Sequence, residues 1–172
     1  RGASREFPEN TLPAFTRAQE ILPRCLIETD VRMTADGTVV ICHDALLDGK
    51  TDGSGPVGGR TRAEIAGLDA GFAITFDGGV TFPFRGKGFR IPLLADALDA
   101  FPGARFSVDI KDDSDEAADR ALAVMKEHGA LGRIIVGSFH ERVIRRVRKK
   151  CPDAITSCSK SEIIRFLAVQ KL

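Results

Sequence analysis

Tryptophan and tyrosine are absent from this 172-residue sequence, so phenylalanine supplies all of its aromatic side chains. Their absence removes the usual stacking platforms for nucleic-acid bases and for sugars. No apolar run is long enough to span a membrane. A formal net charge of +1 gives no overall field that would attract nucleic acid or anionic lipid. The composition, 43% hydrophobic and 28% charged, is that of one globular domain or a large part of one.

The cysteines do not have the short sequence spacing that is typical of zinc ligands. There are four of them: Cys25, Cys42, Cys151 and Cys158. This pattern is typical of reduced, mostly buried thiols in a cytosolic protein, with an oxidised pair as the alternative. No secretory leader is recognisable, but the sequence begins at Arg1 without a methionine. The prediction of a cytoplasmic protein therefore depends on the cysteines alone.

An alternating run near the N-terminus ends in a tight turn and a histidine. Asp36-Gly37 is a strong hairpin signal, because both central residues of a type I′ turn need positive φ. With these two residues as the loop, Asp30 lies opposite His43, and Glu28 shares their face. Two carboxylates and an imidazole within about 5–8 Å indicate a catalytic metal site. The solvated face of an edge hairpin shows the same pattern, so the residues alone leave both interpretations open.

Helical and irregular segments surround this hairpin. A helix is predicted over about residues 11–22, where Asn10 or Thr11 can act as the N-cap and Pro13 is tolerated in the first turn. The segment from Leu46 to Arg90 is rich in glycine and threonine, and its single short helical signal is Thr61–Leu68. It is too long for a plain connection, which predicts a functional insertion or lid.

Helices and strands alternate in the second half of the chain. The pattern predicts, in order, a helix over 91–98, a strand over 105–111, a helix over 115–128 ended by Gly129, a strand over 133–139, a helix over 141–150, a strand over 154–158 and a helix over 161–172. Units of this length imply parallel strands with right-handed crossovers.

Two architectures fit this alternation, an open doubly wound sheet and a (β/α)8 barrel. No glycine-rich G-x-G-x-x-G turn, which would favour the open sheet, follows a strand. In a barrel the catalytic groups lie at the carboxyl ends of several strands. Glu28 and Asp30 end one predicted strand, and Asp109 and Lys111 end another, spaced so that both pairs face inward. This arrangement favours a TIM-type (β/α)8 barrel of the α/β class.

Four pieces of sequence together carry a family resemblance. They are Arg1-Gly2-Ala3 with Pro8-Glu9-Asn10-Thr11, Glu28-Thr29-Asp30-Val31 with Thr34-Ala35-Asp36-Gly37, His43-Asp44, and Ile91-Pro92 with Asp109-Ile110-Lys111. In this order and spacing the sequence resembles the glycerophosphodiester phosphodiesterase family over essentially its whole length. The resemblance implies a TIM-type barrel over 1–172 with an insertion at about 45–90. It also implies hydrolysis of a small-molecule phosphodiester to glycerol 3-phosphate and an alcohol, with a divalent metal.

The resemblance also implies site residues, carried over position by position. The implied metal ligands are Glu28, Asp30 and Asp109. His43 corresponds to one of the two catalytic histidines of the family. Arg1 and Lys111 correspond to groups that contact the phosphate and assist catalysis, and Glu9 to a polar residue near the substrate.

The sequence departs from the family pattern at three points. The other catalytic histidine of the family lies immediately before the position of Arg1, so the sequence starts one residue too late to include it. The family usually has glutamate where this sequence has Asp109, whose shorter arm keeps the charge but is expected to shift the metal. A complete barrel takes about 250 residues. We therefore expect strands two to five, in a chain truncated at both ends.

The implied chemistry suits these side chains. The transition state of phosphodiester hydrolysis spreads charge over oxygens that a metal, Arg1 and Lys111 would stabilise. Three carboxylates without a cysteine or second histidine favour Mg²⁺ or Ca²⁺ over zinc. His43 can exchange protons near neutral pH, as a general acid or base. The nucleophile is either water or the neighbouring glycerol hydroxyl.

Other functions fit part of the pattern. The related sphingomyelinase D and lysophospholipase D enzymes share the Asp-x-Lys pair at Asp109 and Lys111, although Pro8-Glu9-Asn10-Thr11 favours the glycerophosphodiesterases. A non-catalytic pseudoenzyme or fragment that keeps only a phosphate or metal pocket is the alternative from a different class. The sequence ranks neither the alcohol moiety of the substrate nor the oligomeric state.

The remaining charged groups predict structural roles. His128, before Gly129, is expected to cap a helix or lie on the surface, and His140 to start a helix. The basic run over 142–150 carries apolar residues at helical spacing, which predicts a solvated amphipathic helix rather than a nucleic-acid surface. The acidic residues over 112–116 predict a helix N-terminus.

Overall fold

The structure is a computed structural model that describes residues 1–169. Its helices and strands follow in the order α1 Leu12–Ile21, β1 Leu26–Met33, β2 Val39–Ile41, α2 Arg62–Ala66, α3 Leu94–Ala100, β3 Arg105–Ile110, α4 Asp115–Glu127, β4 Ile134–Gly137, α5 Glu141–Lys150, β5 Ile155–Thr156 and α6 Lys160–Val169. Each predicted element is present with boundaries shifted by a few residues. The last three positions of the predicted final helix lie outside the described residues.

The sheet has the strand order β2-β1-β3-β4-β5. Strands β1, β3, β4 and β5 are parallel and neighbour one another in chain order, whereas β2 runs antiparallel to β1. A doubly wound sheet reverses its strand order at a switch point, but a barrel adds each new strand on the same side. The parallel strands with their helices are therefore successive units of a TIM-type (β/α)8 barrel.

One face of the sheet carries the hydrophobic core. Alternate strand residues, among them Ile27, Phe106 and Val136, pack with α1, α3, α4 and α5 in a single buried cluster. The intervening residues point to the other face, and these include Glu28, Asp30 and Asp109. Alternation along each strand thus separates the core from the charged side chains.

Local sequence signals mark the beginning of α1 and the end of α4, as the sequence predicts. Thr11, not Asn10, is the N-cap of α1, and its hydroxyl accepts from the Ala14 N–H at 3.4 Å. Gly129 follows α4 with φ +59°, a conformation that glycine adopts without strain.

The hairpin between β1 and β2 is present, but the predicted register is wrong by one residue. Met33 pairs with Val39. The Thr34 N–H donates to the Thr38 carbonyl at 2.9 Å, so the loop has three residues rather than two. Of Asp36-Gly37 only Gly37 has positive φ, +76°, which excludes a type I′ turn. The Thr34 hydroxyl stabilises the wider loop by accepting from the Thr38 N–H at 3.0 Å.

This register changes the partner of Asp30. The Cys42 N–H donates to the Asp30 carbonyl at 2.9 Å, so Cys42 and not His43 lies opposite Asp30. β2 ends at Ile41, and His43 belongs to the loop that follows. The predicted cross-strand pairing of Asp30 with His43 is therefore wrong, and the position of His43 depends on that loop.

The segment between β2 and α3 has a small core of its own. Val40, Leu47, Val57 and Ile65 are buried together beside β2. The segment contains the short helix α2, which begins with a capping box between Thr61 and Glu64. Among residues 1–169, no helix has the length and apolar character needed to cross a membrane.

Candidate active site

Carboxylates and a lysine meet at the carboxyl ends of β1 and β3. Asp30 and Asp109 occupy paired positions on these parallel strands. Lys111 follows β3 directly, and its Nζ lies 2.9 Å from Asp30 Oδ1 and 2.5 Å from Asp109 Oδ2. Burial lowers the pKa of Lys111, but the bonds to Asp109 and Asp30 outweigh it and raise the pKa above its ordinary value. The lysine therefore stays charged and holds the two carboxylates together.

Asp30 is the most buried charged group of this site, with 1% of its side chain exposed. Arg1 Nε lies 2.9 Å from Asp30 Oδ2, and Asn10 Nδ2 donates to the same oxygen at 3.0 Å. Burial raises the pKa of Asp30, but the bonds from Asn10 and Lys111 and the charge of Arg1 outweigh it, and the net pKa is lowered. Asp30 is thus ionised in spite of its burial.

Asn10 is a site residue that the sequence predicted only as a possible helix cap. Its backbone is left-handed, with φ +58°, and its Oδ1 accepts from the Thr29 hydroxyl at 2.9 Å. Asparagine tolerates this conformation better than most residues, which is the only local signal for its role. The side chain bridges Thr29 and Asp30 and so fixes the carboxylate.

Arg1 also bonds to Glu9. Its Nη1 donates to both carboxylate oxygens of Glu9, at 3.0 and 3.2 Å. Its Nε lies 2.9 Å from Asp30 Oδ2, so the guanidinium contacts Glu9 and Asp30 at once. Glu28 lies on the same face of β1 as Asp30 and is exposed.

His43 reaches the same site from the loop after β2. It lines a cleft of about 340 Å³ together with Arg1 and Glu9, whereas Ala70, Ile74 and Ile91 give the cleft an apolar wall. His43 Nδ1 lies 3.1 Å from Asp44 Oδ1, and Asp44 Oδ2 lies 3.3 Å from Lys50 Nζ. Lys50, which the sequence did not single out, also lines the cleft.

The neighbours of His43 define its surroundings. Burial raises the pKa of Asp44, but the hydrogen bonds from His43 and Lys50 outweigh it and hold the pKa below its ordinary value. Burial raises the pKa of the Cys42 thiol to about 11, so this sulfur is protonated at neutral pH. Asp44 is therefore the anionic partner of the histidine, and Cys42 is an inert neighbour.

Two of the predicted metal ligands are already engaged with cations. Among residues 1–169, no three His, Cys, Asp or Glu side chains converge as a ready metal site. Asp30 and Asp109 instead bond to the side chains of Arg1 and Lys111. Asp30 Oδ1 is buried and accepts no well-aligned hydrogen bond, although Lys111 Nζ is 2.9 Å away. The metal role of Glu28, Asp30 and Asp109 stays a prediction.

The remaining candidates take structural positions. His128 is the C-cap of α4, and its Nδ1 lies 2.6 Å from Asp99. His140 is the N-cap of α5, and its Nε2 lies 3.2 Å from the Lys111 carbonyl. The basic residues of α5 bond to carboxylates, for example Arg146 to Asp119 at 2.6 Å. The solvated amphipathic helix predicted there is confirmed.

Comparisons with known proteins identify the family of this chain. A sequence model of the glycerophosphoryl diester phosphodiesterase family matches residues 1–168. A glycerophosphodiester phosphodiesterase of Caldanaerobacter subterraneus subsp. tengcongensis is 35% identical over 157 residues, which cover 88% of this chain and 61% of that protein.

Two solved structures extend the comparison to the fold. The glycerophosphoryl diester phosphodiesterase domain of Rv2277c from Mycobacterium tuberculosis matches 99% of this chain and 62% of its own, with a TM-score of 0.88 and 27% identity. An Oleispira antarctica phosphodiesterase in complex with the product sn-glycerol-3-phosphate matches 91% of this chain and 62% of its own, with a TM-score of 0.78 and 26% identity.

In each of these comparisons the chain spans about three fifths of the length of the protein it matches. The match nevertheless covers nearly all of this chain, including both strands that carry the charged residues. The chain therefore belongs to the glycerophosphoryl diester phosphodiesterase family.

Proposed function

We propose that this chain carries the catalytic centre of a metal-dependent hydrolase that converts glycerophosphodiesters to glycerol 3-phosphate and an alcohol. The observation that carries the proposal is the cleft in which His43 lies with Arg1, because Arg1 also bonds to Asp30 beside Lys111. An acid–base group thus adjoins two cations. The related Oleispira antarctica structure, which holds sn-glycerol-3-phosphate, supports the same product here.

The cations suit an anionic substrate. Arg1 presents a guanidinium, which can bind two phosphate oxygens at once, and Lys111 adds a point charge. Both are anchored by carboxylates, so they need little reorganisation when charge develops on the phosphate oxygens. Their role is to bind and orient the phosphate.

Glu28, Asp30 and Asp109 would hold the metal. They offer only oxygen donors, which suits Mg²⁺ or Ca²⁺, and the buried Asp30 Oδ1 accepts no well-aligned hydrogen bond although Lys111 Nζ lies 2.9 Å from it. When bound, such a cation would act as a Lewis acid on the phosphoryl oxygens. Binding requires Lys111 to give up part of its contact with Asp30 and Asp109.

His43 is the proposed general acid or base. Asp44 occupies Nδ1, which leaves Nε2 free to exchange a proton with a substrate oxygen. Ala70, Ile74 and Ile91 form an apolar wall on one side of the cleft, while the His43 side chain stays accessible from solvent.

The test is release of glycerol 3-phosphate by the complete gene product that contains this sequence. A panel of glycerophosphocholine, glycerophosphoethanolamine, glycerophosphoinositol and lysophospholipid identifies the alcohol moiety. His43→Ala is expected to lower kcat by at least about 100-fold, the usual contribution of general acid–base catalysis. His128→Ala, at the end of α4, is the matched control and should keep wild-type activity. Near-normal activity of the His43 variant would contradict the assignment.

Metal dependence has a separate test. Treatment with EDTA should abolish activity, and Mg²⁺ or Ca²⁺ should restore it. The thermal midpoint of the EDTA-treated protein should also rise when the ion is added, because a ligand that binds only the folded state stabilises it. Asp109→Asn should weaken that rise. If neither the activity nor the thermal midpoint changes with EDTA or with added ions, the metal role is disproved.

A non-catalytic binding pocket is the second candidate. It is favoured by one observation, namely that Arg1 and Lys111 already neutralise the carboxylates among the described residues. In that case glycerol 3-phosphate would bind, and no substrate of the panel would be hydrolysed.

A further inference from the structure

Residues 70–91, which we call the aromatic loop, differ from the rest of the chain in composition. They hold five of the eleven phenylalanines of the sequence. They also contain three cations, Arg85, Lys87 and Arg90, and a single carboxylate, Asp77, which gives the loop a net charge of +2. The whole chain has a net charge of only +1, so this loop is a local concentration of positive charge and aromatic surface.

Aromatic contacts hold the base of the loop. Phe84 packs against Phe89 at 5.2 Å and against Phe7 of the N-terminal segment at 6.2 Å between ring centroids. Phe76 contacts the same ring at 5.9 Å in an edge-to-face arrangement. The loop therefore has a defined conformation although it contains no helix or strand.

One cation is built into this aromatic surface. The Arg85 guanidinium lies 4.2 Å from the ring centroid of Phe72 and 3.9 Å from that of Phe82. Its Nε donates to the Phe72 carbonyl at 2.8 Å. Cation–π contacts on two rings fix a positive charge next to apolar surface.

The single carboxylate of the aromatic loop accepts hydrogen bonds within a turn over residues 75–81, which we call the tip. Asp77 accepts from the Thr81 hydroxyl at 2.6 Å, from the Val80 and Thr81 N–H groups and from the Thr75 hydroxyl. These bonds lower the pKa of Asp77 to about 2. Within this turn the side chain of Phe76 is 57% exposed and that of Val80 is 80% exposed. The tip thus presents two apolar side chains to solvent on a turn with fixed hydrogen bonds.

We propose that the tip of the aromatic loop docks on the surface of a bilayer that contains anionic lipid. Phe76 and Val80 enter the boundary between head groups and acyl chains, while Lys87 and Arg90 stay at the level of the anionic head groups. Charge complementarity favours this partner, because the aromatic loop contains three cations and one carboxylate. That carboxylate, Asp77, is hydrogen-bonded within the turn. The two exposed apolar side chains on this turn can enter a deformable lipid surface without a complementary groove on a partner. The inference does not depend on the proposed catalysis.

Docking here would also place the cleft close to the membrane. Ala70 and Ile74, at the start of the aromatic loop, line the wall of the cleft that contains His43 and Arg1. A phosphodiester released from or held in the lipid surface would then have a short path to the cleft.

The test is binding of the 172-residue chain to lipid vesicles, measured by co-sedimentation. We expect weak binding to phosphatidylcholine vesicles, stronger binding when phosphatidylglycerol replaces part of that lipid, and weakening by salt. The double variant Phe76→Ser, Val80→Ser should lower the partition coefficient by about tenfold or more, because its apolar groups no longer leave water. Lys87→Gln should lower binding to the anionic vesicles only.

Matched variants separate this surface from others. Leu22→Ser removes a side chain that is 61% exposed at the end of α1, and it should bind like the wild type. A thermal melt of each variant checks that the fold is kept. The inference is overturned if no vesicle binds the chain, if Phe76 and Val80 can be replaced without effect, or if Phe166→Ser in α6 lowers binding as strongly. A concentration-dependent dimer that the double variant abolishes, without vesicle binding, would assign the tip to a second copy instead.

Discussion

Asp44 accepts a hydrogen bond from Nδ1 of His43 and lies 3.3 Å from Lys50 Nζ, so it orients the imidazole and is itself held in place by the lysine. If the proposed function is correct, Asp44→Asn should lower kcat by about 10- to 100-fold with little change in KM, because the imidazole loses the group that orients it.

The matched control for that variant is Asp48→Asn in the same loop. Asp48 accepts from the Gly55 N–H, a bond that an asparagine oxygen can keep. Values of kcat and KM for Asp44→Asn identical to those of Asp48→Asn would show that Asp44 does not position the histidine.

At the same scale, some site residues could be predicted from the sequence and others could not. Asp30 and Asp109 follow from strand alternation and from the rule that barrel sites lie at the carboxyl ends of strands. Asn10 could not be predicted, because its role depends on a left-handed backbone and on a segment twenty residues away in the chain. Lys50 reaches Asp44 only because the loop after β2 folds back on itself.

Among the elements, the β1–β2 hairpin shows that a turn motif can be recognised correctly while the strand register predicted from it is wrong. The Asp36-Gly37 pair marks the turn correctly, but side chains outside the pair decide its length. Thr34 bonds to both Asp36 and Thr38, and these bonds favour a three-residue loop that a two-residue template does not consider. The helices were predicted to within a few residues, because the apolar period of a helix does not depend on a partner segment, and α1, α2 and α4 also have side-chain N-caps.

Gly37 is the one loop residue that needs a left-handed backbone, with φ +76°. Gly37→Ala should therefore lower the free energy of unfolding by about 1 kcal/mol. Gly67→Ala is the matched control, since Gly67 has φ −86° and an added Cβ would meet no atom within 4 Å. Urea denaturation measures both. Equal stabilities of the two variants would contradict the assigned loop.

One carboxylate links α6 to α5 and to the residue before the helix. Glu162 accepts from Arg148 of α5 at 2.6 Å and from the Ser159 N–H at 2.7 Å. The hydrogen bond from Arg148, followed by that from Ser159, lowers the pKa of Glu162 from the ordinary 4.5 to about 2. A depressed carboxyl pKa contributes stability above the unfolded value, and this contribution is lost as the pH falls from about 4.5 towards 2.

We therefore expect α6 to loosen in that acidic range, seen as a shift of its amide resonances towards random-coil values. In Glu162→Gln the helix should already be loosened at neutral pH and show no transition over the same range. Glu116→Gln, an exposed carboxyl of α4, should behave like the wild type. Resonances of α6 in Glu162→Gln that keep their wild-type positions at neutral pH would exclude this attachment.

At the scale of the whole molecule, the β5 edge of the sheet and α6 carry exposed apolar side chains. Among residues 1–169, β5 pairs with β4 on one side only, and Ile155 on it is exposed. The adjacent helix α6 exposes Ile164 and Phe166 as well, and it buries no residue completely. An unpaired strand edge beside an apolar patch is a template for association between chains. Sequence patterning predicts α6 as an element but not this exposure, because exposure depends on what packs against it.

The isolated 172-residue chain should therefore self-associate, with a sedimentation coefficient that rises with concentration and with ANS fluorescence above that of a well-packed domain. Phe166→Lys should shift the chain towards monomer, because a charge on the patch disfavours contact between copies. Leu22→Lys is the matched control: it places the same charge on an equally exposed leucine at the end of α1 and should leave association unchanged. If the wild type is monomeric at every concentration, or if both lysine variants have the same effect, the exposed face of α6 does not drive association.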